Sequence, residues 1–183
     1  MGLRGRLSFI EDRVYFVTTT VVDFAPVFTE DKYCDILVRN IKYYQQRYHF
    51  SILGYVIMQT HFHWVVEVEP ELGYLSDVMR DIKKYSAWDL MEALEIDRRG
   101  DLLRLFQKRA VAYTDQDRKF WMKRFDDEVI RNVGMLRTKL EYIHFNPVKA
   151  GLVENPEHYK YSSARNYVLN EHSVLPVNTD WSM

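Results

Sequence analysis

One cysteine, seven glycines and five prolines are all that this 183-residue chain holds of the residues that staple or break a fold. The lone thiol, Cys34, can form no internal disulfide, which excludes the small disulfide-framed folds and points to a reducing, cytoplasmic setting. So little glycine and proline leaves no material for long linkers or low-complexity tracts. There is no run of about 18 consecutive apolar residues, the length a membrane-spanning helix needs. The opening MGLRGRLSFIEDR is interrupted by charge before an apolar stretch reaches signal-peptide length. The expectation is a protein with no membrane partner. Net charge is nearly absent as well: 25 Lys and Arg face 26 Asp and Glu, which argues against indiscriminate binding of polyanions.

What is present is the material of a core. With 47% hydrophobic and 15% aromatic residues, the chain is expected to form one domain over 1–183, with its core about 13–167, because a single hydrophobic core is comfortable at this length. Charge is unevenly spread. Residues 98–139 carry 12 Lys or Arg against 6 acids, enough for a local face toward an anionic ligand, although solvated helix faces laced with ion pairs would give the same count.

Residues 13–22, RVYFVTTTVV, are β-branched and aromatic and predict a first strand. In DKYCDILVRNIKYYQQRYHF, apolar residues recur at three- and four-residue steps through Tyr33, Ile36, Leu37, Ile41, Tyr44 and Tyr48, predicting an amphipathic helix. SILGYVIMQ and HFHWVVEV follow almost without a gap and predict a tight antiparallel hairpin. After Pro70 and Gly73, a second helical stripe runs through Leu75, Val78, Met79, Ile82 and Tyr85. KFWMKRFDDEVI suggests another strand, and a helix is expected from about Asn132 to Asn146, ended by Pro147 and Gly151. The order predicts an α+β, ferredoxin-like fold: an antiparallel sheet with helices packed mainly on one face.

Alternation along a strand places His61, His63, Val65 and Glu67 on one face and Phe62, Trp64, Val66 and Val68 on the other, which is the expected core face. Two imidazoles one residue apart stand about 7 Å apart at their backbones and can converge on one ion; a chance pair is the competing reading. In LEYIHFNPVKAGLV, Tyr142 and Asn146 are four apart and share a helical face, so that a phenol and an amide oxygen lie one turn from each other. Alone, such a pair also suits packing and a capping amide.

Together these stretches resemble a known family. GYVIMQTHFHWVVEV is similar to the histidine-hydrophobic-histidine (HUH) motif of IS200-like single-tyrosine transposases. FWMKRFDDEVIRNVGMLRTKLEYIHFNPVKAGLVENPEHYKYSSARNY resembles the carboxy-terminal half of their REP-associated branch. Gln59-Thr60 stands where that family commonly has Pro-Asn, Trp64 replaces a usual aliphatic residue, and the arginine-rich opening of many REP-associated members is missing.

The resemblance implies a ferredoxin-like HUH fold that cuts and rejoins single-stranded DNA, often beside a hairpin. It makes His61 and His63 metal ligands around the hydrophobic Phe62, Tyr142 the nucleophile and Asn146 the third polar ligand. A divalent ion so held keeps open positions for phosphate oxygens, so Mg²⁺ or Mn²⁺ is expected, with Zn²⁺ also suited to two imidazoles. Lys83, Lys84, Arg124, Lys149 and Arg165 are candidate DNA contacts. His144, on another face of the same helix, is expected to be structural, and Tyr161 and Tyr167 are rival nucleophiles. The protein could act as a monomer or homodimer. Two readings of other classes stand beside this one: a non-catalytic ferredoxin-like nucleic-acid-binding module, and a zinc hydrolase built on the two histidines.

Overall fold

The computed structural model describes residues 13–69, 71–111 and 118–182. The opening segment, Pro70, and Asp115 and Asp117 of the basic region, all used above, lie outside the described residues.

Strand β1 (Val14–Thr20) leads to α1 (Asp31–Tyr48), the hairpin β2 (Ser51–Ile57) and β3 (His61–Glu67), then α2 (Leu75–Ile96), α3 (Gly100–Ala110), β4 (Asp126–Val129), α4 (Val133–Lys149) and α5 (Ala164–Leu169). The sheet order is β2-β3-β1-β4, with every neighbouring pair antiparallel. Two strand-helix-strand units therefore interleave, with β1 and β3 at the centre, which is the α+β arrangement expected from the element order.

The apolar stripes explain the layers. Helices α1 and α2 lay Leu37, Ile41, Val78, Met79 and Ile82 against Phe62, Trp64 and Val66, and α3 adds Leu102 and Phe106 to the same core. The opposite face is not left to solvent. Val14, Leu53, Val56 and Val65 form a second core beneath Leu136, Leu140 and Ile143 of α4. Most helices share one face, while α4 covers the face that carries the histidines. Gly54 on β2 permits that cover, since a Cβ there would sit 2.3 Å from Cδ2 of Leu140.

Helix α4 outruns its expected end. Asn132 caps its start by accepting a hydrogen bond from the Met135 N–H (2.9 Å). Pro147 does not stop it, because in the last turn its missing N–H deprives a single upstream carbonyl and its ring is buried in the core. The chain leaves at Gly151, whose φ of +71° suits a residue without a Cβ. The segment KFWMKRFDDEVI also forms less strand than expected. Only Asp126–Val129 pairs with β1, while Trp121 makes an isolated bridge to Val21 and the Met122 N–H donates to the Thr20 carbonyl.

Both sheet edges are occupied or short. Beside β2, the Ile57 N–H donates to Tyr161 O (2.9 Å), Ser163 N–H to Tyr55 O (2.9 Å) and Asn178 N–H to Ile52 O (2.8 Å). At the other edge, β4 is four residues long and its Asp126, Asp127 and Glu128 are exposed.

Candidate active site

Strand β3 presents His61 and His63 beneath α4, and antiparallel pairing sets Thr20 of β1 opposite His61 and Thr18 opposite His63. Each ring is held by a hydroxyl. Nδ1 of His63 lies 2.8 Å from Oγ1 of Thr18, and Nδ1 of His61 lies 2.9 Å from Oγ1 of Thr60. In the tautomer where Nδ1–H donates to the threonine oxygen, each ring turns a bare Nε2 away from its holder. The ring centroids are 4.6 Å apart, so the two rings converge as the strand spacing predicts.

Burial keeps both rings neutral. It pushes the His63 pKa down to about 3, helped by the charges of His61 and Lys139, and pushes that of His61 down as well. Neutral imidazoles are the form that binds a cation without first losing a proton. His63 Nε2 is buried and has no hydrogen-bond partner among the described residues, a position that costs about 1–3 kcal/mol unless something satisfies it. A divalent ion fits that atom.

Around His63 the aromatic packing is tight. Phe16 of β1 stacks on it (centroids 5.5 Å, interplanar 19°), and Tyr142 of α4 meets it edge-on (5.3 Å, 70°) while also meeting Phe16 edge-on at 5.9 Å. Tyr142 is 42% exposed, so part of its side chain reaches solvent beside the buried His63 ring. Lys149 lies 5.9 Å from the Tyr142 ring centroid. Lys139 reaches over Phe16 at 4.6 Å and bonds Glu128 of β4 at 2.6 Å.

Among the described residues no group of three or more acidic, histidine or cysteine side chains is placed to hold an ion, so there the two histidines gain no third ligand of those types. Asn146 is half-buried on α4, one turn from Tyr142, or roughly 5–6 Å between Cβ atoms.

The remaining candidates divide. Lys83 Nζ donates to the carbonyls of Met122 (2.9 Å) and Lys123 (3.3 Å), so its ammonium ties chain to chain rather than standing free on a helix face. Lys84 is exposed, with its ammonium over the rings of Trp88 (4.8 Å) and Tyr85 (5.2 Å). Arg124 is exposed at the bend before β4. Arg165 is engaged by Glu171 and by the Glu157 carbonyl, within the α5 region.

Tyr161 donates to Asp35 (2.9 Å) and the Asp31 carbonyl (3.1 Å), and Tyr167 donates to Leu53 O (2.6 Å). Burial raises both phenols, Tyr167 to about 12, so neither readily gives the phenolate a nucleophile needs. His144 Nε2 lies 2.8 Å from Ser163 Oγ, and burial pushes its pKa down to about 4. Thr18, Thr60 and Phe16 were not among the sequence candidates. Thr60 adjoins the HFH motif, but Thr18 and Phe16 become visible only once β1 is paired with β3.

A family model described as "Transposase IS200 like" matches residues 15–146. A Haemophilus influenzae protein that carries the name REP-associated tyrosine transposase is 25% identical over 158 residues, spanning 86% of this chain and 83% of its own. Among solved structures, a REP-associated tyrosine transposase bound to a REP hairpin superposes with a TM-score of 0.64 at 21% identity, covering 99% of this chain and 91% of that one. A Deinococcus radiodurans protein described as a transposase gives 0.50 at 13% identity, over 78% of this chain and 95% of that one. At these identities the two structural likenesses show a shared fold.

Proposed function

Because the chain belongs to the family of IS200-like transposases, we propose that it is a metal-dependent endonuclease and strand-transferase of single-stranded DNA, acting at sites beside hairpins. The observation that carries this reading is the exposed Tyr142 ring set edge-on against that of His63, whose buried Nε2 has no hydrogen-bond partner among the described residues.

His61, His63 and Asn146 would hold a divalent ion. Mg²⁺ or Mn²⁺ suits hard phosphate oxygens, and Zn²⁺ also suits the imidazoles. Such an ion, when bound, polarises a phosphodiester and stabilises the negative charge that develops on it. The chain's own part is to place the nucleophile. The Tyr142 oxygen attacks phosphorus, the bond to the 3′-oxygen breaks, and that oxygen leaves with a proton as a free 3′-hydroxyl. The 5′-phosphate stays on the tyrosine. A 3′-hydroxyl from another strand reverses the step, so DNA is rejoined without an external energy source. Hairpin DNA as the setting is supported by the structural relative, which is bound to a REP hairpin.

Purified protein and its Tyr142→Phe variant, mixed with end-labelled hairpin DNAs with single-stranded flanks in Mn²⁺ or EDTA, supply the test on a denaturing gel. Label that stays with the wild type only, and only with metal, supports the reading. Label retained by Tyr142→Phe sinks it, and DNA bound without any adduct across a sufficient pool of sites favours a binding module instead.

A further inference from the structure

On the other side of the sheet from the histidines, α2 and the segment 118–125 enclose an open groove of about 1070 Å³. It is larger than most small-molecule pockets. One wall is a single face of α2 running from Ser76 to Glu95, about 28 Å at the rise of an α-helix. Six cations line it: Arg80, Lys83, Lys84, Arg118, Lys119 and Lys123, against Glu92 and Glu95. Part of that charge is matched, since Arg80 pairs with Asp77 and Asp81 and Arg118 with Glu95. Lys84 has no carboxylate partner among the described residues and lies between two aromatic rings.

Those rings are the second half of the observation. Trp88 is 59% exposed in the groove, whereas Trp64, Trp121 and Trp181 are buried. Tyr85 meets it edge-on at 5.2 Å and is itself exposed. A large flat ring left in water beside an unmatched ammonium is poorly explained by folding, but it suits an unpaired base with its phosphate: the base stacks on indole and the phosphate meets lysine.

The groove also communicates with the histidines. Its far wall is tied to β1 by the hydrogen bond from Met122 N–H to Thr20 O, and Thr20 pairs with His61 on β3. Met122 and His61 are therefore two strand spacings apart, roughly 10 Å at the backbone. The exposed bend at Arg124 sits on the sheet edge between groove and β4.

We infer that this groove is a track for the unpaired flank of the DNA, with Trp88 stacking a base and Lys84 meeting its phosphate, and that the strand crosses the edge at Arg124 to reach Tyr142. Lys83 holds the far wall to α2 through the Met122 and Lys123 carbonyls and acts by positioning. The choice of single-stranded DNA rests on the proposed transferase reading; the groove itself does not.

Trp88 is its own reporter, being the single exposed tryptophan of the four. Titrating the full-length protein with an unstructured oligodeoxynucleotide should give saturable quenching of tryptophan fluorescence that Trp88→Phe largely removes. Trp88→Ala and Lys84→Ala, checked for folding by circular dichroism, should each weaken binding measured by anisotropy about tenfold, the effect of losing one base stack or its phosphate contact. Affinities within twofold of wild type in both variants overturn the inference, as does equal quenching by a blunt duplex of the same length. Quenching is read in Tyr142→Phe as well, so the two readings separate. An adduct without Trp88 quenching removes the groove and leaves the transferase, and quenching without an adduct does the reverse.

Discussion

Thr18 of β1 and His63 of β3 are cross-strand partners whose side chains meet, the hydroxyl oxygen lying 2.8 Å from Nδ1. Where Nδ1–H donates to the threonine oxygen, this one contact sets both the ring's orientation and the nitrogen left bare. Strand register, set by the apolar residues on the other face, decides which hydroxyl meets the ring.

Replacing Thr18 with Val removes the acceptor while keeping the β-branched shape. In metal-free protein, ¹⁵N chemical shifts of His63 should move from an Nδ1–H tautomer toward a mixture, and Mn²⁺ affinity should fall about 10–100-fold, as for other outer partners of metal-bound imidazoles. Thr18→Ser should restore both. A His63 tautomer unchanged in Thr18→Val would refute the role.

Gly54 of β2 leaves no room for a side chain beneath Leu140 of α4. Gly54→Ala forces a Cβ to within 2.3 Å of a leucine methyl, and overpacking of this kind costs about 1–3 kcal/mol. Leu140→Ala alone should cost about 2–5 kcal/mol by leaving a cavity. The double variant should lose clearly less than the two single losses combined, as read by urea unfolding; strict additivity would argue against the contact.

Histidine 144 is buried with a pKa of about 4, whereas an unfolded imidazole titrates near 6.5. Between those values the unfolded chain binds more protons, so the group's stabilising effect is full above about 6.5 and is lost as pH falls through that window toward 4. At pH 5 the loss is roughly 2 kcal/mol. The stability gap between wild type and His144→Gln should shrink by about that amount from pH 7.5 to 5 in EDTA. A gap independent of pH would mean that the folded imidazole titrates normally.

Cys34 is buried with its thiol directed at the Phe28 carbonyl, and burial pushes its pKa to about 12. At pH 8 the folded protein should resist a thiol-specific reagent, releasing one equivalent only on unfolding. Immediate reaction at the rate of a free thiol would contradict this placement.

Much of this was legible in the sequence. Alternation through HFHWVVEV gave the face shared by His61 and His63, and helical spacing gave that of Tyr142 and Asn146, because both periods are local properties of the backbone. Thr18 was not legible, since nothing local says which residue of TTT will stand beside His63. The second core was missed for a related reason: Val65 shares the histidines' face, and only α4 folding back makes that face dry. Helix α3 was obscured because Leu102, Phe106 and Ala110 are its buried stripe within a run of cations. The groove needs 118–125 to return against α2, which no period encodes.

The two ends of the sheet bear on assembly. A strand edge with free amides and carbonyls is a template for a second copy to extend. Here the Ile57 N–H of β2 already donates to Tyr161 and the Tyr55 and Ile52 carbonyls already accept from Ser163 and Asn178, while β4 offers four residues bearing three exposed carboxylates that would confront the same three in a symmetric partner. Continuous sheet growth from protomer to protomer is disfavoured on both flanks. If two copies join, helices and loops offer the contact surface that the two sheet edges withhold.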